Sequence, residues 1–346
     1  MIAVGRVRAL AQMEISDQFL WHDGGRLIAF RTNARADALE ILASRNWEPF
    51  ELLTTERARD GVPELAEAAT AVHEVPLGPV PQLGADLIEK VAALRLVAVG
   101  GGRVIDVAKG IAAARSGGVC AIPTTLSGAE MTSSGRLTLG YEQATRVRPA
   151  IVLADPELMT SLPEPQLRAS AMNSLAHGVE SLFTRMSNPA AGIIALHGIT
   201  LIRSALDEPR ETRRRADLAL GSIFCSWAMA SSGFGLHHVL CQSLVRTCGT
   251  THSETHAAVL PVTIDALAQL SPRAAERLAA AFQAEPTTLG ERVRELSGSG
   301  ERLADLGLDK ACLANVPDVA LERVELRNMA KVPDRPEIEA LLERAW

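Results

Sequence analysis

Between residues 233 and 261 the chain reads GFGLHHVLCQSLVRTCGTTHSETHAAVLP, which sets His237, His238, His252, His256 and Glu254 into a stretch otherwise composed like buried helix. An imidazole is costly to hide without partners, so several on apolar helices mark a place where they move protons, hold a metal or donate to an anion. His238 and His252 stand fourteen residues apart, with Gly249 and two threonines ahead of the second, the spacing of two helices joined by a turn. Upstream, AMNSLAHGVESLF puts Asn173 and His177 four residues apart, on one face of a helix. Three imidazoles and an amide are therefore expected to converge on one cleft. Cys241 and Cys248 lie in the same stretch and read as small buried apolar residues beside it.

Hydrophobic periodicity supplies the elements that must carry these residues. From Leu27 to Asp155 the apolar runs RLIAF, PFELLT, AVHEVP, RLVAVG, VCAIP and AIVLAD alternate with helical stretches such as ADALEILASRNW, an α/β layout. Beyond Asp155 the period is helical almost throughout, with breaks at Pro163, Pro165, Pro189, Pro209, Gly249, Pro272 and Pro286. The expected organisation is an α/β nucleotide-binding domain over residues 1–156 and an all-α domain over 157–346, with SGSGE at 297–301 a short loop.

Within the first half, LVAVGGGRVIDVAKGIAAA runs a strand into Gly100, Gly101 and Gly102 and then into a helix. Glycines let backbone approach a ligand, and a helix N-terminus offers free N–H groups to an anion such as a pyrophosphate. The pattern is not GxGxxG, so the turn alone is a weak signal. The loop IPTTLSGAEMTSSG after the next strand adds Thr124, Thr125, Ser127, Gly128 and Thr132, and two such loops suit a nucleotide at the strands' carboxyl ends.

Composition narrows the function class. The 346 residues carry a formal net charge of −6 with the basic residues scattered, which disfavours a nucleic-acid or anionic-membrane surface and points to a small-molecule ligand. Five cysteines (Cys120, Cys225, Cys241, Cys248, Cys312) without a CxxC pair read as reduced thiols in a cytosol. The segment MIAVGRVRAL has no apolar signal core, and no apolar run has the length of a membrane span, so the expected location is cytoplasmic.

The segments VGGGRVIDVAKGIA, IPTTLSGAEMT, VLADPELMTSLP, AMNSLAHGVESLF, GLHHVLCQSL, THSETHAAVLP and LLERAW resemble the iron-containing alcohol dehydrogenase superfamily, with its dehydroquinate synthase-like architecture. The HH pair followed by HSETHAAVLP is similar to the maleylacetate reductase branch. The resemblance implies NADH or NADPH lying along Gly100, Gly101, Gly102, Asp106, Thr124, Thr125, Ser127 and Thr132, a small keto acid or carbonyl substrate, and a homodimer. It also implies that the Asp and three His holding a divalent ion in the metal enzymes fall here on Asn173, His177, His238 and His252. An amide in place of the carboxylate removes a negative charge from the ion's surroundings, so a metal-free site is expected, its protonated or N–H-donating imidazoles suited to an anion.

The implied reaction is hydride addition to a conjugated keto acid, giving a 3-oxoadipate-like product. His177, His238 and His252 would stabilise the enolate and supply a proton, His237 and His256 would bind carboxylate, and Glu254 would either orient an imidazole or sit at a helix start. Departures from the family pattern fall at Arg103, where relatives usually have Ser, at Gln242, where they usually have His, and at Leu126, usually Tyr in the reductases. Arg103 would clamp the pyrophosphate or fill its place. The alternatives that stay open are a metal-dependent alcohol dehydrogenase and a scaffold turned to non-redox chemistry with the nicotinamide site blocked by Arg103. NAD and NADP are both compatible with Glu56, Arg57 and Arg59 after FELLTT.

Overall fold

A computed structural model describes residues 18–298, 300 and 302–346. MIAVGRVRAL and two positions of the 297–301 loop lie outside the described residues. All six apolar runs of the first half are strands: β2 (Arg26–Phe30), β3 (Glu51–Thr54), β4 (Val72–Glu74), β5 (Arg95–Gly100), β6 (Gly118–Pro123) and β7 (Ile151–Ala154). One strand was not expected, β1 (Phe19–Asp23), which turns at Gly24 and Gly25 and pairs antiparallel with β2. Its signal is short, an Asp-Gly-Gly turn after five residues of alternating burial.

The seven strands are ordered β1-β2-β7-β6-β5-β3-β4, and every neighbouring pair but the first is parallel. β2, β3, β6 and β7 are apolar with little alternation because both sheet faces are covered. Gly100 pairs with Pro123, and the Thr124 N–H donates to the Gly100 carbonyl at 3.0 Å. The glycine turn and the Thr124 loop thus leave the sheet side by side at its carboxyl edge.

The helices used below are α1 (Gly102–Arg115), α2 (Glu164–Glu180), α3 (Pro189–Asp207), α4 (Arg215–Ser232), α5 (Leu236–Cys248) and α6 (His252–Leu270). Their ends follow the residues that the chain supplies: Pro189 at the start of α3 with Asn188 capping it, and Gly249 closing α5 at φ 72°. One core joins both halves, with Ile28, Phe30, Val152 and Ala154 of the sheet packed among Met172, Leu175 and Val179 of α2.

Two expectations are corrected. Cys248 at the end of α5 and Cys312 form a disulfide across 64 residues, because the short 3-10 turn Lys310–Asn315 folds back to bring their Cα atoms within 5.5 Å. Spacing along the chain could not reveal that contact, and the thiol argument for a reducing compartment falls with it. Cys120, Cys225 and Cys241 are free and buried. Helix α3 does have the length and hydropathy of a membrane span, and half of that window is packed inside the protein, as in a core helix.

Candidate active site

Asn173, His177 and Glu180 stand on α2 at intervals of four and three, so they share one face, and all three are buried. Glu180 is fully enclosed and does two things. Its Oε1 accepts from the backbone N–H groups of Gly235 (3.2 Å) and His237 (2.6 Å), tying down the start of α5, where a carboxylate also meets the positive end of the helix. Its Oε2 lies 2.5 Å from His238 Nδ1. The ring N–H at Nδ1 therefore points at Glu180, and Nε2 faces inward, buried and without a hydrogen bond.

Further side chains complete the cluster. His177 Nδ1 lies 3.0 Å from Ser226 Oγ of α4, and its ring stacks on His238 with centroids 4.8 Å apart. His252, the first residue of α6, has its ring 4.4 Å from that of His256. His256 Nδ1 meets His237 Nε2 at 2.8 Å, and His237 Nδ1 meets Thr263 Oγ1 at 2.7 Å. The result is a buried chain, Thr263–His237–His256, ending on a His256 Nε2 that has no partner. Behind it, Cys241 Sγ lies 3.5 Å from His237 Nε2, and His237, Cys241 and His256 form a compact group of possible metal donors.

The imidazoles are not expected to be cations. Burial first, and the neighbouring histidines second, push His177, His237 and His256 well below the ordinary imidazole range. His252 is open to the cleft on one side, yet the protein around it, then His238 and Arg136, push it down to about 4. The protonated half of the anion-binding expectation is thereby corrected: burial favours the neutral form of these four rings.

The second loop is fastened to the cluster. Ser174 Oγ donates to Leu126 O at 2.6 Å, Leu126 N donates to Ser170 Oγ at 3.1 Å, and Asn173 Nδ2 donates to Ser127 O at 3.2 Å. Asn173 Oδ1 is left buried and unpartnered. Gly128, at φ 75°, is pressed so close that a Cβ there would lie 2.1 Å from Ser226 Oγ and 2.9 Å from His177 Cε1. A Cβ on Gly101 would come within 3.0 Å of Thr125, and one on Gly102 within 3.0 Å of Ser127. Gly100, Gly101, Gly102, Thr124, Thr125 and Ser127 are thus brought together beside the imidazoles.

Other expected residues are placed differently. Thr132 is buried in the loop. Asp106 is engaged by Lys109 Nζ at 2.7 Å. Arg103, in the first turn of α1, has a buried Nε without a partner and no hydrogen bond or ion pair among the described residues. Gln242 Oε1 accepts from Arg323 Nη2 at 2.7 Å. His237 is fully buried with both nitrogens taken, so it stands behind His256 and does not reach a carboxylate itself. Glu254 is exposed and bonded to Thr251 Oγ1, so it orients no imidazole.

The orienting carboxylate is Glu180, which sequence reasoning passed over although it lies on the helix face defined by Asn173 and His177. Ser226 and Arg323 carried no comparable signal, since each comes from a distant segment, whereas Thr263 lies two turns after His256 on α6.

The donor set fits a divalent ion in kind and number. His177, His238 and His252 would supply imidazole nitrogens and Asn173 an amide oxygen, with Glu180 as the charged group behind His238.

Comparison with known proteins gives a consistent set of relatives. A model of the Fe-containing alcohol dehydrogenase family, C-terminal, matches residues 168–346, and one of iron-containing alcohol dehydrogenase matches 55–163. The chain is 34% identical over 257 residues to maleylacetate reductase of Pseudomonas knackmussii, a match covering 70% of this chain and 73% of that protein. It superposes on the crystal structures of maleylacetate reductase from Agrobacterium tumefaciens (TM-score 0.81, 26% identity, 95% of this chain and 97% of the other). That from Rhizobium sp. gives a TM-score of 0.80 at 26% identity, over 95% and 98% of the two chains.

Proposed function

The chain belongs to the iron-containing alcohol dehydrogenase family, and we propose that within it the protein is an NAD(P)H-dependent reductase of maleylacetate or a similar unsaturated keto acid. The observation that carries the reading is the joining of the glycine turn and the Thr124 loop to the imidazole cluster through Asn173, Ser174 and Gly128. When bound, the nicotinamide supplies the hydride. The reading takes residues 1–156 as the cofactor domain and 157–346 as the substrate domain.

Everything else is the work of the chain. Gly100, Gly101 and Gly102 present the α1 N-terminus to the pyrophosphate, and the untied guanidinium of Arg103 is free to donate to it as well. Neutral imidazole N–H groups face the oxygen on which negative charge develops, a contribution typically worth about 3 to 4 kcal/mol per donor. Glu180 fixes the His238 ring so that a proton exchanged with substrate passes through Nε2. Because Asn173 adds no charge, we assign the stabilisation to the imidazoles without need of a metal. Small-molecule substrate, no nucleic acid and a homodimer complete the reading.

Loss of NADH or NADPH absorbance on adding maleylacetate tests it. His238→Asn is expected to lower kcat by about 10²- to 10⁴-fold, while fluorescence titration still reports NADH binding. No maleylacetate-dependent oxidation of either coenzyme by the wild type would end the reading. A second reading is favoured by one observation, that His238 Nε2 and Asn173 Oδ1 are both buried and unpartnered. It is a metal-dependent alcohol dehydrogenase in which a divalent ion polarises the carbonyl oxygen.

A further inference from the structure

The buried chain Thr263–His237–His256 has a direction, because a threonine hydroxyl and a neutral imidazole each have a single hydrogen to donate. Thr263 Oγ1 gives its hydrogen back along α6 to Val259 O at 3.1 Å, with Leu260 O at 3.3 Å. Toward His237 it is therefore an acceptor, and the contact at 2.7 Å puts the ring hydrogen of His237 on Nδ1. His237 Nε2 is left with a lone pair. His256 Nδ1, 2.8 Å away, must then carry the hydrogen that joins them. Run the other way, the chain would spend the Thr263 hydrogen on the ring and forfeit the bond to the helix carbonyl. Cys241 Sγ, 3.5 Å from His237 Nε2 and with a weak S–H to give, agrees with a lone pair there.

The two nitrogens of an imidazole leave it on opposite sides, so His256 Nε2 is turned away from His237, buried and without a partner. By the same count it carries a lone pair. His238 reaches that state by a different device, its Nδ1 hydrogen given to Glu180 at 2.5 Å and its Nε2 left bare. The devices differ in charge. A carboxylate stabilises an imidazolium, whereas a hydroxyl backed by a main-chain carbonyl only orients the ring. His238 is thus the ring built to take up and pass on a proton, and His256 is a neutral acceptor of fixed tautomer.

Resting on the reductase reading above for the reaction it serves, we propose that Thr263 is a positioning residue. Acting through His237, it holds His256 as the Nδ1–H tautomer, so that Nε2 accepts a hydrogen bond from an O–H or N–H group of the ligand. A carboxylate is refused at that point, since a lone pair would face a negative oxygen. The N–H contacts to the developing oxyanion then fall to His177 and His252, which no such chain ties down among the described residues.

Two-bond nitrogen–proton correlation spectra of the full chain carrying isotope-labelled histidine read the tautomer directly, the His256 signals being those lost in His256→Gln. The wild type is expected to show His256 protonated at Nδ1 and bare at Nε2. In Thr263→Val that pattern should give way to the Nε2–H tautomer or a mixture, and Thr263→Ser, which keeps the hydroxyl, should restore it. With maleylacetate, Thr263→Val should lower kcat by about fivefold, roughly the worth of one neutral hydrogen bond, while Thr263→Ser returns most of it. An Nε2–H signal in the wild type, an unchanged pattern in folded Thr263→Val, or a changed pattern with full kcat each overturns the proposal. Should Thr263→Val fail to fold by circular dichroism, the wild-type spectrum decides alone. If the tautomers are as expected but maleylacetate oxidises no coenzyme, the reductase reading falls and the hold of Thr263 on His256 stands.

Discussion

Asn173 leaves its Oδ1 buried and unpartnered on the helix face that also carries His177, with Nδ2 spent on Ser127 O. An oxygen so placed accepts a hydrogen bond from substrate or binds an ion weakly, since it brings no charge. Asn173→Asp tests which. With zinc, the variant should take up close to one equivalent and gain thermal stability. Without it, the buried unpaired carboxylate should cost about 1 to 3 kcal/mol. Elemental analysis and melting curves with and without zinc measure both, and a wild type that holds zinc as tightly as the variant would replace the metal-free reading with the metal-dependent one. His238, Asn173 and His177 were legible as candidates because i, i+4 spacing survives folding. The roles of their neighbours were not, because the partner of each ring nitrogen comes from another element.

Among the elements, the loop from Thr124 to Ala150 is the one on which both ligand sites depend. α2 holds it through Ser170, Asn173 and Ser174, while Arg26 of β2 donates to Glu130 O at 2.9 Å. Inside it the Glu130 carboxyl is wholly buried, with neither oxygen hydrogen-bonded. Burial raises it from 4.5 to about 7, against lowering by its own backbone, Lys109 and Arg26. The unfolded chain therefore releases this proton at lower pH than the folded one, so the group subtracts nothing in acid and costs increasing stability as pH rises from about 4.5 through 7. Glu130→Gln, which mimics the protonated form, should stabilise the protein by on the order of 3 kcal/mol near pH 8 and by little near pH 5. Denaturant melts at the two pH values decide it, and equal shifts at both would mean that the carboxyl is not the titrating group.

Over the whole molecule, the disulfide closes a loop of 64 residues that contains α6 and the segments packed on α5. Constraining a loop of that size contributes about 4 kcal/mol in the chain-entropy account. Cys248→Ser, or reduction, should lower stability by up to about that amount, read as a shift of the denaturation midpoint. An unchanged midpoint under reductant would show that packing of the Lys310–Asn315 turn on α5 suffices alone.

By itself the sequence determined six of the seven strands of the first half, the helical second half, the glycine turn and the spacing of four imidazoles, because periodicity and local turn chemistry act over a few residues and are written in order along the chain. Only the tertiary structure decided that Glu180 holds His238 and that Gly128 abuts His177. It alone joined Cys248 to Cys312 and brought Arg323 to Gln242. These pairs lie dozens of residues apart, and what joins them is the packing of the helices on one another and on the sheet, a geometry that no single segment encodes.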